Sequence, residues 1–213
     1  QNSEALSRDL DQIIDLAPPH ISFYQLTVEP GTALADRVAS GALKMPDPDF
    51  SFGLYRGGCE RLMEAGYDRY EVSSFARKGY ECRHNLGYWE GADYLGLGPS
   101  AHSFMHGRRF ANTADVQAYI KALLSARRPL VVDESGFESR MTEAIMLGLR
   151  TARGIDRERF RQRFGIPVEE RLVREQYHIL VESGHLLPDK GRLRLSDEGL
   201  LMADEITRRL IKL

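Results

Sequence analysis

An α/β fold followed by a small, mainly helical module is the fold class that the sequence predicts, and three observations carry it. An amphipathic stretch, Ser3 to Leu16, runs straight into a short apolar segment, His20 to Leu26. A helix followed by a buried parallel strand is half of an α/β repeat. The composition then changes near Arg127 to Pro129, from mixed elements to charged helical spacing. Beyond it the order of elements is three helices, a hairpin and a helix, the pattern of a winged helix.

Each element has its own local reason. Leu6, Leu10, Ile13, Ile14 and Ala17 form one stripe at helical period, Asn2 or Ser3 caps it, and Pro18-Pro19 ends it. HISFYQL is nearly continuous in apolar and aromatic residues, as a buried parallel strand is. Pro30-Gly31 marks the turn after it, and Thr32 to Gly41 reads as a short helix or ordered loop. Asp47-Pro48 sets a helix start, with Phe50, Leu54, Leu62 and Met63 as the expected buried stripe and Gly66 as its stop. Tyr67 to Ser73 is expected as a second strand, and Asn112 to Leu124 as a region holding a helix with Val116, Tyr119, Ile120 and Leu123 on one face. In the last part Phe137, Met141, Ile145 and Leu149 recur every four residues, Gly154 breaks that helix, and Asp156 to Phe164 forms the next. Val168 to Ser183 is expected as a third, His185 to Leu195 as a hairpin turning at Asp189 to Gly191, and Ser196 as the cap of a last helix to Leu213.

Composition bounds the function. Hydrophobic residues at 42% and charged residues at 28% are globular values, and a net charge of −2 argues against a general binder of nucleic-acid phosphates. Arg and Glu are interspersed in the C-terminal helices, so the winged helix reads as a packing module rather than a DNA reader. The two cysteines, Cys59 and Cys82, match neither a zinc pair nor a redox pair and suit a reducing cytoplasm. No apolar run approaches the ~18 residues of a membrane span, so the expectation is a soluble, cytoplasmic protein.

The residues that point to chemistry cluster in Tyr80 to Phe104, YECRHNLGYWEGADYLGLGPSAHSF, which holds the only Trp, a Cys, two His and three Tyr. If Arg83 to Trp89 is helical, His84 and Tyr88 share one face and Asn85 and Trp89 another. An imidazole beside two large aromatics and a guanidinium suits a flat, anionic, metal-bearing ligand: neutral His ligates a haem iron, Tyr and Trp offer flat apolar area, and Arg83 pairs with a carboxylate. The competing reading is an aromatic core patch with a hydrogen-bonded structural histidine. Gly96 and Gly98 allow close backbone approach or positive φ, which serves a nucleotide site or a plain turn. Gln25, at the end of the expected first strand, either lines a cleft or satisfies a neighbouring backbone group.

At these residues the sequence resembles a known family. Ser22 to Thr32 (SFYQLTVEPGT), Tyr70 to Arg77 (YEVSSFAR), Cys82 to Trp89 (CRHNLGYW) and Tyr94 to Phe104 (YLGLGPSAHSF) are similar to the radical S-adenosylmethionine family of oxygen-independent coproporphyrinogen III oxidase. The RHNxxYW signature resembles its haem chaperone branch (HemW), and MTEAIMLGLR through RLRLSDEGL resembles the family's C-terminal domain. The resemblance implies the C-terminal part of a partial parallel (βα) barrel of radical SAM type over residues 1–128, carrying a haem- or porphyrin-binding loop. A winged-helix-like C-terminal domain over 129–213 would follow.

The resemblance also implies haem as ligand, with His84 as iron ligand and Arg83, Asn85, Tyr88 and Trp89 beside it. Gln25, Gly96 and Gly98 would lie near S-adenosylmethionine. The family's C-x-x-x-C-x-x-C motif, which holds a [4Fe–4S] cluster, is absent from this sequence, so no radical chemistry is expected of it as written. Three functions follow in order: a haem chaperone delivering to haem proteins, a portion of the oxidase of porphyrin biosynthesis, or a winged-helix interaction module without catalysis. Exposed barrel edges would favour self-association.

Overall fold

The computed structural model describes residues 2–127, 130–133, 136–189 and 191–212. They form two compact units, residues 1–81 and 82–213. The boundary expected between residues 128 and 129 lies outside the described residues.

The first unit contains α1 (Ser3–Leu16), β1 (His20–Ser22), α2 (Ala33–Ala39), α3 (Pro48–Glu64), β2 (Asp68–Glu71) and β3 (Ser74–Ala76). The caps act as the sequence predicts: Asn2 accepts from the Ala5 N–H, Asp47 from those of Asp49 and Phe50, and Gly66 ends α3 with a positive φ. The stripe on α3 differs from the expected one. Gly58, Cys59 and Leu62 are its buried residues, while Phe50 is 46% exposed. Gly58 sits there because the Phe23 ring comes within 2.5 Å of where a Cβ would be, and Phe23 stacks on Tyr55 with ring centroids 5.3 Å apart.

The expected parallel strand over His20 to Leu26 is corrected. β1 covers three residues and pairs antiparallel with β3, which pairs antiparallel with β2. Ile21 is buried, whereas Tyr24 and Leu26 are exposed. The apolar run was misleading because its burial is set by β3, some fifty residues away, and β3 covers only its first part. The stretch expected as one strand, Tyr67 to Ser73, is a hairpin arm that bends at Val72-Ser73 into β3.

The second unit opens with α4 (Arg83–Trp89), β4 (His102–Met105), β5 (Arg108–Asn112), α5 (Val116–Leu124) and β6 (Leu130–Asp133). β4, β5 and β6 make an antiparallel sheet in that order. Asn112 therefore ends a strand and α5 starts at Val116, capped by Asp115.

The remainder is α6 (Phe137–Gly148), β7 (Ile155–Asp156), α7 (Arg157–Phe164), α8 (Arg174–Glu182), β8 (Leu186–Asp189), β9 (Arg192–Leu195), α9 (Asp197–Leu201) and α10 (Ala203–Leu210). The sheet order β7-β9-β8, all antiparallel, with α6, α7 and α8 against it, is a winged-helix arrangement. Its core holds Met141 and Ile145 from α6 and Leu149 just after it, with Leu193, Leu195 and Leu210, each at most 2% exposed. Gly154 is forced: it has φ 67°, and a Cβ there would stand 2.3 Å from the Leu193 carbonyl. Two helices expected as continuous are broken. Val168–Arg171 is a 3-10 turn ahead of α8, because Leu172 leaves the helix to bridge Ile211. The last helix splits at Met202 into α9 and α10.

Candidate functional site

α4 is short and lacks a side-chain N-cap, so packing has to hold it. Leu86 is its buried residue, which leaves Arg83, His84 and Tyr88 exposed and Asn85 and Trp89 half-buried. The four-residue spacing brings the His84 and Tyr88 rings edge to face, centroids 4.6 Å apart. Tyr88 meets Tyr94 in the same way at 4.6 Å, and Tyr94 lies 6.5 Å from Phe104. Tyr94 is fixed by a backbone bridge to Phe104, N–H to O at 2.7 and 3.0 Å. A row of four rings thus runs from an exposed imidazole inward. Among the described residues, no hydrogen bond or ion pair occupies the His84 ring.

The two glycines predicted as site residues shape the loop that follows Tyr94. A Cβ on Gly96 would stand 2.2 Å from the His102 carbonyl oxygen, and Gly98 has φ 101°. The Gly96 N–H donates to Ser103 Oγ at 3.0 Å and the Gly98 N–H to the Tyr119 hydroxyl at 3.2 Å. The Asn112 amide donates to both their carbonyls, at 3.3 and 2.8 Å. Their backbone groups are thus engaged within the unit. Gln25 is exposed in the loop after β1, in the first unit.

Sequence reasoning missed what lies beside α4. A cavity of about 310 Å³ in the second unit is lined by Tyr88, Trp89, Tyr94, Phe104, Arg109, Arg140, Glu143, Leu147, Asp156, Arg159, Phe160, Arg163 and Phe164, among others. That is the lower end of small-molecule sites, roughly 300–1,000 Å³. Three of its arginines have acidic partners: Arg109 pairs with Glu143, Arg153 with Glu90 at 3.4 Å and Arg192 with Asp156 at 3.3 Å. Arg140, Arg159 and Arg163 have no carboxylate partner among the described residues. Burial first, then the charges of Arg159 and Arg140, push the Arg163 guanidinium down from its ordinary value, against the upward pull of Glu143. The one sequence signal was RERFRQRF, which repeats Arg and Phe four residues apart on one helix face.

The residues do not fit an iron–sulfur cluster. Among the described residues no group of three or more His, Cys, Asp or Glu is placed to hold a metal. Cys59 is buried, and that burial pushes its thiol up, away from the thiolate that metals bind.

The fold has a solved counterpart. The chain superposes on a solved structure of coproporphyrinogen III oxidase (HemN) from Escherichia coli, described as a radical SAM enzyme. The TM-score is 0.74 at 16% identity, over 98% of this chain and 51% of that one. Residues 138–202 match the family described as HemN C-terminal domain.

The curated relatives then narrow it. The haem chaperone HemW of Mycobacterium tuberculosis is 34% identical over 99% of this chain and 52% of its own length. That of Lactococcus lactis is 29% identical over 99% and 55%. The bovine radical S-adenosyl methionine domain-containing protein 1, mitochondrial, is 33% identical over 96% and 49%. Over almost its whole length the chain is similar to these haem chaperones, and it spans about half the length of the curated relatives it matches. No helix among the described residues is long and apolar enough to cross a membrane.

Proposed function

We propose that this chain is the haem-holding part of a haem chaperone, with His84 as the iron ligand, and that the whole protein passes haem to haem proteins. One observation carries the reading. His84 is exposed, its ring lies edge-on to Tyr88, and no group among the described residues competes for its ring nitrogens. A structural histidine would be buried and hydrogen-bonded, as His20 is part-buried and bonded to the Tyr70 hydroxyl at 2.9 Å in the first unit. A neutral imidazole on a helix face beside flat aromatic area is the arrangement an axial haem ligand needs. Tyr88 and Trp89 supply that area, Asn85 stands on the same face as Trp89, and Arg83 at the start of α4 offers a guanidinium to a carboxylate.

Haem is the cargo in this reading. S-adenosylmethionine and an iron–sulfur cluster belong to the whole radical SAM protein, and no step here is assigned to them. The names of the HemW relatives support the chaperone, while the likeness to the HemN oxidase supports the fold. Haemin titration followed in the Soret region on the chain and on His84→Ala tests the reading. Saturable binding that disappears in the variant supports it. Identical titrations remove His84 as the ligand, and absent binding in a cooperatively folded chain leaves the oxidase reading.

A further inference from the structure

The cavity beside α4 holds more positive charge than its carboxylates use. Helix α7 presents Arg159 and Arg163 four residues apart, with Phe160 and Phe164 at the same spacing. Helix α6 brings Arg140 to the same space. Arg140 donates to the Gly107 carbonyl at 3.3 Å, and its Nε is buried with no acceptor among the described residues. A buried donor left unmatched is costly. The guanidinium groups of Arg159 and Arg140 also disfavour the charge on Arg163, which an anion placed beside it would favour. Six aromatic side chains, Tyr88, Trp89, Tyr94, Phe104, Phe160 and Phe164, share the wall with these arginines and offer flat apolar area beside them.

We propose that Arg140, Arg159 and Arg163 are the seat for the carboxylates of a flat, largely apolar ligand whose body lies along Tyr88 and Tyr94. Guanidinium groups suit this because each takes a carboxylate through two parallel hydrogen bonds. Tyr88 joins the two ends of the site: it lines the cavity and packs on the His84 ring. The identity of the ligand rests on the haem reading, since haem carries two carboxylates on a flat apolar body. The cavity would take that polar edge and leave the iron near His84.

The test titrates the full chain with haemin and with haemin dimethyl ester, which lacks the free carboxylates. The proteins are wild type, His84→Ala, the double variant Arg159→Gln/Arg163→Gln, and, as control, Arg161→Gln, an arginine of α7 that does not line the cavity. Haemin binding should weaken about 10- to 100-fold in the double variant and stay unchanged in the control. The ester should bind both proteins alike. Equal haemin affinity in wild type and double variant overturns the seat, as does an equal loss for the ester. Binding lost in His84→Ala but intact in the double variant sinks the seat and leaves the haem reading standing. If wild type binds no haemin, citrate decides the seat separately. A rise in melting temperature with citrate in wild type, absent in the double variant, supports it, and no rise in wild type overturns it.

Discussion

Helices α5 and α6 follow each other in the chain and show the same apolar periodicity, yet they use it differently. α6 sinks Met141 and Ile145 to 2% exposure or less in the winged-helix core. α5 buries none of its residues: Val116, Ile120 and Leu123 stay 45–53% exposed. The contrast extends to α4, where Tyr88 remains 39% exposed beside an exposed His84. Periodicity predicts a helix, whereas burial is decided by what the tertiary structure brings to that face. The winged helix spends its apolar side chains on stability. The segment from α4 to α5 leaves large side chains at the surface.

The largest expected effect breaks or sustains this contrast directly. Ile145→Ala removes a fully buried side chain and should cost about 2–5 kcal/mol in denaturant unfolding. Ile120→Ala should cost about 1 kcal/mol or less. Similar losses would mean that α5 is as deeply packed as α6. Next come the loop glycines. Gly96→Ala drives a methyl into the His102 carbonyl and should cost roughly 1–3 kcal/mol, because backbone has to move. Gly98→Ala meets open space and carries only its positive φ, about 1 kcal/mol. Thermal melts that rank Gly98→Ala as the worse of the two would contradict this account of the loop. The smallest effect is shared by the two regions. Asp115 caps α5 by accepting from the Ala118 N–H at 2.8 Å, and Ser196 caps α9 from Gly199 at 3.1 Å. Alanine at either should cost about 1 kcal/mol whatever the burial of the helix, since a cap satisfies backbone locally. Melts showing a cost at Ser196 alone would mean that α5 is already frayed.

Local signals made much of the fold legible. α1 was readable from its stripe and the Asn2 cap, because the signals and the groups they satisfy lie within a few residues. The face shared by His84 and Tyr88 was readable for the same reason. The strands were harder. β4 and β5 carry mixed residues such as RRFAN, and β6 joins them from twenty residues on, so no alternation announced the sheet. β1 misled in the opposite direction, since HISFYQL looks buried while its antiparallel partner covers only the first part. The arginines of the cavity were hidden by arithmetic. Interspersed Glu makes the C-terminal helices look neutral, and only the packing of α6 against neighbouring elements sets Arg140 beside Arg159 and Arg163.

The central claim is that the exposed face of α4 serves a ligand rather than the fold. Haemin affinity and melting temperature measured together on His84→Ala and on His102→Ala, an exposed histidine at the start of β4, test it most directly. The account predicts that both variants melt like wild type and that His84→Ala alone loses haemin. Haemin binding retained in His84→Ala, or lost equally in both, would contradict it.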